Sequence, residues 1–417
     1  MAAFAYSSGQ LCAGQVSLAD VASRFGTPCY VYSRQEIESR WCELNDAFAP
    51  VNHLICYAVK ANSNIAVLNI LARLGSGFDI VSGGELERVI RAGGDPGKVV
   101  FSGVGKRSDE IRFALEQEIC TFNIESVAEM ERLNKIAGTM NCIAPVSLRV
   151  NPDVDVNTHP YIATGLRENK FGIPYDEALD NYRHASSLEH IRITGIDCHI
   201  GSQITSIEPF VDALKRLLLL VTTLESEGIT LSHIDIGGGL GIRYSDETPP
   251  AAKEYANAIL SALKGNKTLK VLLEPGRSIM GDAGILLTRV EYVKKTPGKN
   301  FAIVDAAMND LLRPALYDAW HTILPVNQQQ EESGESFDIV GPVCESGDFL
   351  GKNRAISIQE GDLLAICSAG AYGYSMSSNY NTRPRACEIM VDDNRVFEIN
   401  ARETVSDLFA GEKLLPG

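Results

Sequence analysis

The residues His53-Leu54-Ile55-Cys56-Tyr57-Ala58-Val59 make a nearly unbroken apolar run, and the next residue is Lys60. So little alternation suits a strand buried on both faces, as in parallel sheets. Seven runs of the same kind follow: Phe78–Val81, Lys98–Ser102, Cys120–Ile124, Val146–Val150, Ile193–Ile200, Ser232–Ile236 and Leu269–Glu274. Helix-like segments separate them. Ser126-x-x-Glu129 opens one of these as a capping box would, and Ser33-x-x-Glu36 precedes the first run in the same way. Eight strand–helix units in about 225 residues is the count for an α/β fold of the (β/α)8 TIM-barrel type. A doubly wound parallel sheet shows the same alternation, and pattern alone leaves it open.

Outward from the barrel the character changes. Beyond Gly281, the runs Ile285–Val293, Phe301–Val304, Ser336–Val340, Asp362–Ile366 and Val396–Ile399 are separated by turn signals and short helical patterns. They predict a mainly antiparallel C-terminal β domain. Before the barrel, Ser17 to Gly26 has the start and stop of a helix, and Tyr30–Tyr32 looks like a strand whose partner the pattern does not reveal. The expected division is residues 1–32 as an N-terminal segment packing with the β domain, 33–280 as the barrel, and 281–417 as the β domain. One long stretch without periodicity, Asn151–Gly172, follows the fifth strand, where a lid over a barrel mouth is expected.

Composition narrows the class of function. With 45% hydrophobic and 22% charged residues the chain has the balance of a globular protein, which excludes a disordered or fibrous one. A net charge of −15 argues against nucleic acid or an anionic membrane as partner, since each requires a positive footprint. A small anionic ligand held by a few arginines remains open. The ten cysteines contain no C-x-x-C pair, which removes zinc ribbons and thioredoxin-like chemistry. Scattered cysteines and no basic flank in the first 23 residues point to a cytoplasmic protein with reduced thiols. The apolar run Leu217–Val221 is far too short to span a bilayer.

In such barrels the chemistry lies just beyond the C-terminal ends of the strands. Those positions hold Lys60, Asp79 with Ser82, Gly103, Glu125, Asn151, His199, Gly237 to Gly239, and Glu274. A lysine at a barrel mouth is partly desolvated, which lowers its pKa and makes it nucleophilic; turned to solvent it would be ordinary. Asp235-Ile-Gly-Gly-Gly-Leu-Gly241 offers closely spaced amides, a cradle for phosphate or merely a tight turn. Glu274-Pro275-Gly276-Arg277 closes strand eight, and the loops after strands seven and eight are the usual phosphate site of this fold. His199 shares that rim, which sets it apart from a structural histidine.

Together these residues resemble the pyridoxal-phosphate decarboxylases built on an alanine-racemase-like barrel plus a β domain. The resemblance runs from about residue 15 to the C-terminus. Four motifs are similar to the diaminopimelate decarboxylase branch: His199-Ile-Gly-Ser202, Asn309 to Tyr317, Cys344-Glu-Ser-Gly-Asp348 and Gly370 to Tyr380. The resemblance implies that Lys60 carries pyridoxal 5'-phosphate as a Schiff base and that Glu274 partners the ring nitrogen. It implies that His199 stacks on the ring and that Ser202, Gly239, Glu274-Pro275-Gly276-Arg277 and Tyr372 contact the phosphate. Cys344 would return a proton after CO2 departs, a task within reach of a thiol near neutral pH. Arg277, Arg313, Tyr317 and Tyr372 would bind substrate, the two arginines gripping its distal carboxylate, with Glu345 on its distal ammonium. Arginine suits that grip because its planar fork matches a carboxylate. The resemblance also implies a homodimer in which Cys344 and Glu345 reach the partner subunit's site, and a closing loop at Asn151–Gly172.

The implied reaction is decarboxylation of meso-2,6-diaminopimelate to L-lysine, the last step of lysine biosynthesis. A decarboxylase of another basic amino acid (ornithine, arginine or lysine) is the alternative on the same fold. A non-catalytic relative should lack Lys60 or Cys344, and both are present. A metal-dependent hydrolase would need clustered ligands on the rim, where only His199 of the seven histidines falls, so no metal is expected.

Overall fold

The structure, a computed structural model, describes residues 3–154, 170–264, 268–328 and 335–417. The chain divides into two compact units, one of residues 38–243 and 247–278, the other of residues 1–37, 244–246 and 279–417.

The first unit is a closed parallel barrel. Its strands one to eight are His53–Ala58, Gly77–Ile80, Val99–Phe101, Thr121–Ile124, Ala144–Asn151, Ile191–Asp197, His233–Asp235 and Lys270–Leu273. Each pairs in parallel with the next, and strand eight returns to strand one through Val271 opposite His53. Closure excludes the doubly wound alternative, whose sheet would have two free edges. All eight strands overlap the apolar runs, because these residues are buried: Leu54 to Ala58 are all inside. Leu54, Cys56, Val100 and Leu272 form one buried cluster.

The outer helices start where their caps place them. Asn64 accepts the Ala66 N–H at 2.9 Å and opens Ile65–Arg73, which buries Val67, Leu68, Ile70 and Leu71. Ser126 opens Val127–Met140 by accepting the Glu129 N–H at 3.2 Å. The capping box expected there is only half made. The Glu129 carboxylate bonds the Glu125 N–H at 3.0 Å and pairs with buried Lys106 at 2.6 Å, a stronger, charge-assisted contact. Leu217–Val221 lies within the helix Glu208–Ser226, and no helix among the described residues is long and apolar enough to cross a membrane.

The second unit is built on a mostly antiparallel sheet whose long strand is Gly284–Lys295. Cys29–Ser33 pairs antiparallel with that strand and parallel with Cys387–Asp392, which gives the early strand its partners. Asn300–Val304 with Ser336–Val340 is a second parallel pairing. Leu18, Val21, Val31, Ile285, Leu287, Ala365 and Ile389 share the core beneath. Besides the small N-terminal sheet of Phe4–Ser7, Gln10–Ala13 and Val16–Ser17, three strands were not anticipated: Ile323–Pro325, Phe349–Ala355 and Cys387–Asp392. The first is short and ends in proline. The second carries Lys352 and Arg354, and the third has an acid at either side of its apolar stretch, so none shows a plain period of two. The expected lid falls mainly on residues 155–169, outside the described residues.

Candidate active site

Strand one ends as the Ala58 N–H donates to the Pro275 carbonyl at 3.0 Å. A single tight turn, Val59–Ala61, then sets Lys60 on the rim. The Lys60 ammonium pairs with the carboxylate of Asp79, which lies opposite Ala58 in strand two and is fully buried. The amine is thus held by a neighbouring strand end while a third of its side chain remains open to solvent.

Glu274, the first residue beyond strand eight, is buried and accepts from Ser102 Oγ and Asn123 Nδ2, both at 3.3 Å. Ligand atoms of Asp197, Asp235 and Glu274 lie within 4.8 Å of one another, all buried. Burial, reinforced by the neighbouring acids, pushes Glu274 and Asp197 well above the usual carboxylate range, and burial lifts Asp235 to about 7. Lys60 acts against the rise at Glu274, and Arg149 against the rise at Asp197 and Asp235. Carboxylates so crowded ionise together only if a further positive charge joins them.

The glycine loop after strand seven closes over this floor. A Cβ on Gly238 would stand 2.1 Å from the Glu274 carbonyl oxygen, and one on Gly239 2.3 Å from the Gly201 carbonyl oxygen, so only glycine lets these loops meet. The Gly238 N–H donates to His199 Nδ1 at 3.2 Å. Burial, then Arg149 and Lys60, depress the His199 pKa well below its ordinary value. The ring is therefore neutral, with its proton on Nε2. Arg277 donates to Ser202 Oγ at 2.9 Å, joining the loops after strands six and eight. Pro275, Gly276 and Arg277 are all buried. Lys60, His199, Ser202, Gly239 and Glu274-Pro275-Gly276-Arg277 thus all stand at the C-terminal ends of strands of one barrel.

The remaining expected residues belong to the other unit. Arg313 is buried at the start of the short helix Arg313–Tyr317, with Tyr317 half-buried at its end. Its guanidinium lies 4.5 Å from the centre of the Tyr244 ring and 2.9 Å from His321 Nε2. Cys344 and Glu345 are exposed on a turn held by Asp348, whose carboxylate accepts the Val343 N–H at 2.8 Å and the Met308 N–H at 2.6 Å. The Cys344 N–H is itself bound by Asn381 Oδ1 at 2.9 Å. Tyr372 takes φ +56° between Gly370 and Gly373, an unusual backbone for a side chain of that size.

A (β/α)8 barrel with a rim lysine and a β unit beside it in sequence is the architecture of a class of pyridoxal-dependent enzymes. Within that class, residues 34–281 match the family profile described as "Pyridoxal-dependent decarboxylase, pyridoxal binding domain". The diaminopimelate decarboxylases of Vibrio cholerae and Pseudomonas aeruginosa are each 58% identical to this chain. The alignments cover 98% of both chains for the first and 100% for the second. The solved diaminopimelate decarboxylase from Helicobacter pylori, complexed with L-lysine, is 41% identical with a TM-score of 0.91, covering 94% of this chain and 98% of that one. The chain belongs to the diaminopimelate decarboxylase family.

The residues present fit the family's cofactor. Lys60 could supply an amine for an aldehyde, and the amides of Gly239 and Gly276 with Ser202 and Arg277 could supply donors for a phosphate, whereas the Gly237, Gly238 and Gly241 amides donate to Asp235, His199 and Ile204 within the fold. The acid floor at Glu274 suits a protonated ring nitrogen, the positive charge that its crowded carboxylates call for. Sequence reasoning passed over several supports: Asp79 as the partner of Lys60, Ser102 and Asn123 as donors to Glu274, and His321 beside Arg313. Asp79 was legible in principle, since strand register alone sets it opposite Ala58. His321 carries no motif and is found only through its contacts.

Proposed function

We propose that this protein decarboxylates meso-2,6-diaminopimelate to L-lysine and CO2 with pyridoxal 5'-phosphate, the last step of lysine biosynthesis. The bound cofactor supplies an electron sink for the pair left behind when CO2 departs. Lys60 would hold the cofactor through its amine. Glu274 would keep the ring nitrogen protonated, and neutral His199 would pack on the ring, adding no positive charge beside it. Ser202, Gly239, Glu274-Pro275-Gly276-Arg277 and Tyr372 bind the phosphate. Cys344 returns a proton to the reacting carbon.

At the other end of the substrate, Arg277, Arg313 and Tyr317 take the distal carboxylate and Glu345 the distal ammonium, with Tyr372 also contacting the substrate. The assembly is a homodimer with active sites at the subunit interface, the barrel of residues 33–280 serving as the cofactor domain. Exposure of Cys344 and Glu345 on their own chain supports their use by a second subunit. Ten free thiols support a cytoplasmic location.

The observation that carries this reading is Lys60, braced by buried Asp79 on the same rim as the Glu274 acid floor. The test is CO2 release by the purified holoenzyme from meso-diaminopimelate, L-lysine and L-ornithine. Release from diaminopimelate alone supports the assignment. Comparable release from ornithine or lysine transfers it to a decarboxylase of simpler basic amino acids.

A further inference from the structure

Arg313 is a buried cation, and two uncharged rings of its own unit, His321 and Tyr244, lie against its guanidinium. The state of His321 follows from its neighbours. A guanidinium can only donate, so Nε2 at 2.9 Å must be an acceptor. A carbonyl can only accept, so Nδ1 carries the proton and donates to the Cys367 carbonyl at 2.8 Å. The imidazole is thus neutral and fully buried, and Tyr244 packs edge-on against it with ring centres 5.2 Å apart.

We propose that His321, backed by Tyr244, is a positioning residue that fixes the guanidinium plane of Arg313 for the distal carboxylate of the substrate. The inference rests on the assignment of Arg313 to that carboxylate. An imidazole locked by the Cys367 carbonyl orients the fork without itself adding a negative charge beside it, as a carboxylate at the same place would. Arginine's rotamer freedom is large, so an unbraced fork would bind the same anion with a greater loss of freedom.

The experiment uses two inhibitors of the holoenzyme that differ in this one group: L-lysine, which keeps the distal carboxylate, and cadaverine, which lacks it. In His321→Leu, inhibition by L-lysine should weaken by about 10-fold or more, the size of one lost hydrogen bond to a charged group. KM for diaminopimelate should rise in parallel, with kcat within about 3-fold and cadaverine inhibition unchanged. His321→Gln should recover most of the loss, because its amide can accept from Arg313 and donate to the Cys367 carbonyl. Arg313→Leu separates the two levels. If it weakens L-lysine inhibition while His321→Leu does not, or if His321→Leu weakens both inhibitors equally, the positioning role is wrong. If Arg313→Leu leaves L-lysine inhibition intact, the underlying clamp is wrong. Should His321→Leu fail to fold, Tyr244→Leu decides: selective loss against L-lysine supports the role, and unchanged inhibition overturns it.

Discussion

Lys60 and Cys344 are set in contrasting ways. Around Lys60 the barrel supplies a buried counter-ion, an acid floor and a glycine loop with no room for side chains, all on one rim. Around Cys344 the chain supplies a turn tied by Asp348 and Asn381, and the thiol itself is exposed. The first group is finished by its own fold. The second is presented on a rigid turn and left uncovered, as a group intended for another surface would be. The contrast separates two kinds of evidence for a site: burial with compensating charge, and ordered exposure.

The contrast is most strongly tested by Lys60→Ala. It should lower turnover by more than about 1,000-fold, since it removes the amine that serves as nucleophile, and the nearby buried Lys106 is already committed to Glu129 and to the carbonyls of Gly103 and Asn123. Circular dichroism should stay native, because the residue follows a strand end and fills no core. Undiminished turnover would end the account of the rim. Next, Cys344→Ala should cost roughly 100- to 10,000-fold as the loss of a general acid. Mixing it with Lys60→Ala under subunit exchange should restore about a quarter of the sites, by random assortment in a symmetric dimer. No recovery after verified exchange would place both groups in the site of one chain.

Arg313→Leu should reduce kcat/KM for diaminopimelate by roughly 5- to 150-fold, the equivalent of about 1–3 kcal/mol, and narrow the gap to L-lysine as substrate. The absorption of the bound cofactor should not change. A shifted cofactor spectrum would mean that Arg313 acts on the ring and not on the far end of the substrate.

The smallest expected effect concerns the acid floor. Asp235 has a folded pKa of about 7, above the ordinary 3.8. The folded state therefore holds the proton more tightly, and stability falls as pH rises from about 4 to 7. Glu274 and Asp197 are raised also and act in the same direction. In cofactor-free protein, Asp235→Asn should flatten this decline and raise the melting temperature by about 2–4 °C at pH 8. Thermal scans between pH 4 and 8 measure it. An unchanged slope would show that Asp235 is ionised without penalty.

Much of the barrel was legible in the sequence because its strands are buried on both faces and so read as apolar runs. The β unit was less legible for the opposite reason. Cys29–Ser33 finds its partners at Gly284–Lys295 and Cys387–Asp392, far along the chain, and no local pattern encodes such a pairing. Phe349–Ala355 hides behind its basic residues. At the site, glycines, Lys60 and Glu274 were visible because strand ends announce them. Asn123 and His321 were not singled out, and Asp79, though named on the rim, was not read as the partner of Lys60, since each matters through a partner distant in sequence. The Ser126 box was misread because Lys106 competes for the Glu129 carboxylate.

The central claim is that Lys60 of this barrel binds pyridoxal 5'-phosphate covalently. It is tested most directly by borohydride reduction of the holoenzyme followed by peptide mass mapping. The account predicts loss of the visible absorption band and a pyridoxyl-phosphate adduct on the peptide containing Lys60, absent from Lys60→Ala. An adduct confined to another lysine, or no adduct after saturation with the cofactor, would contradict it.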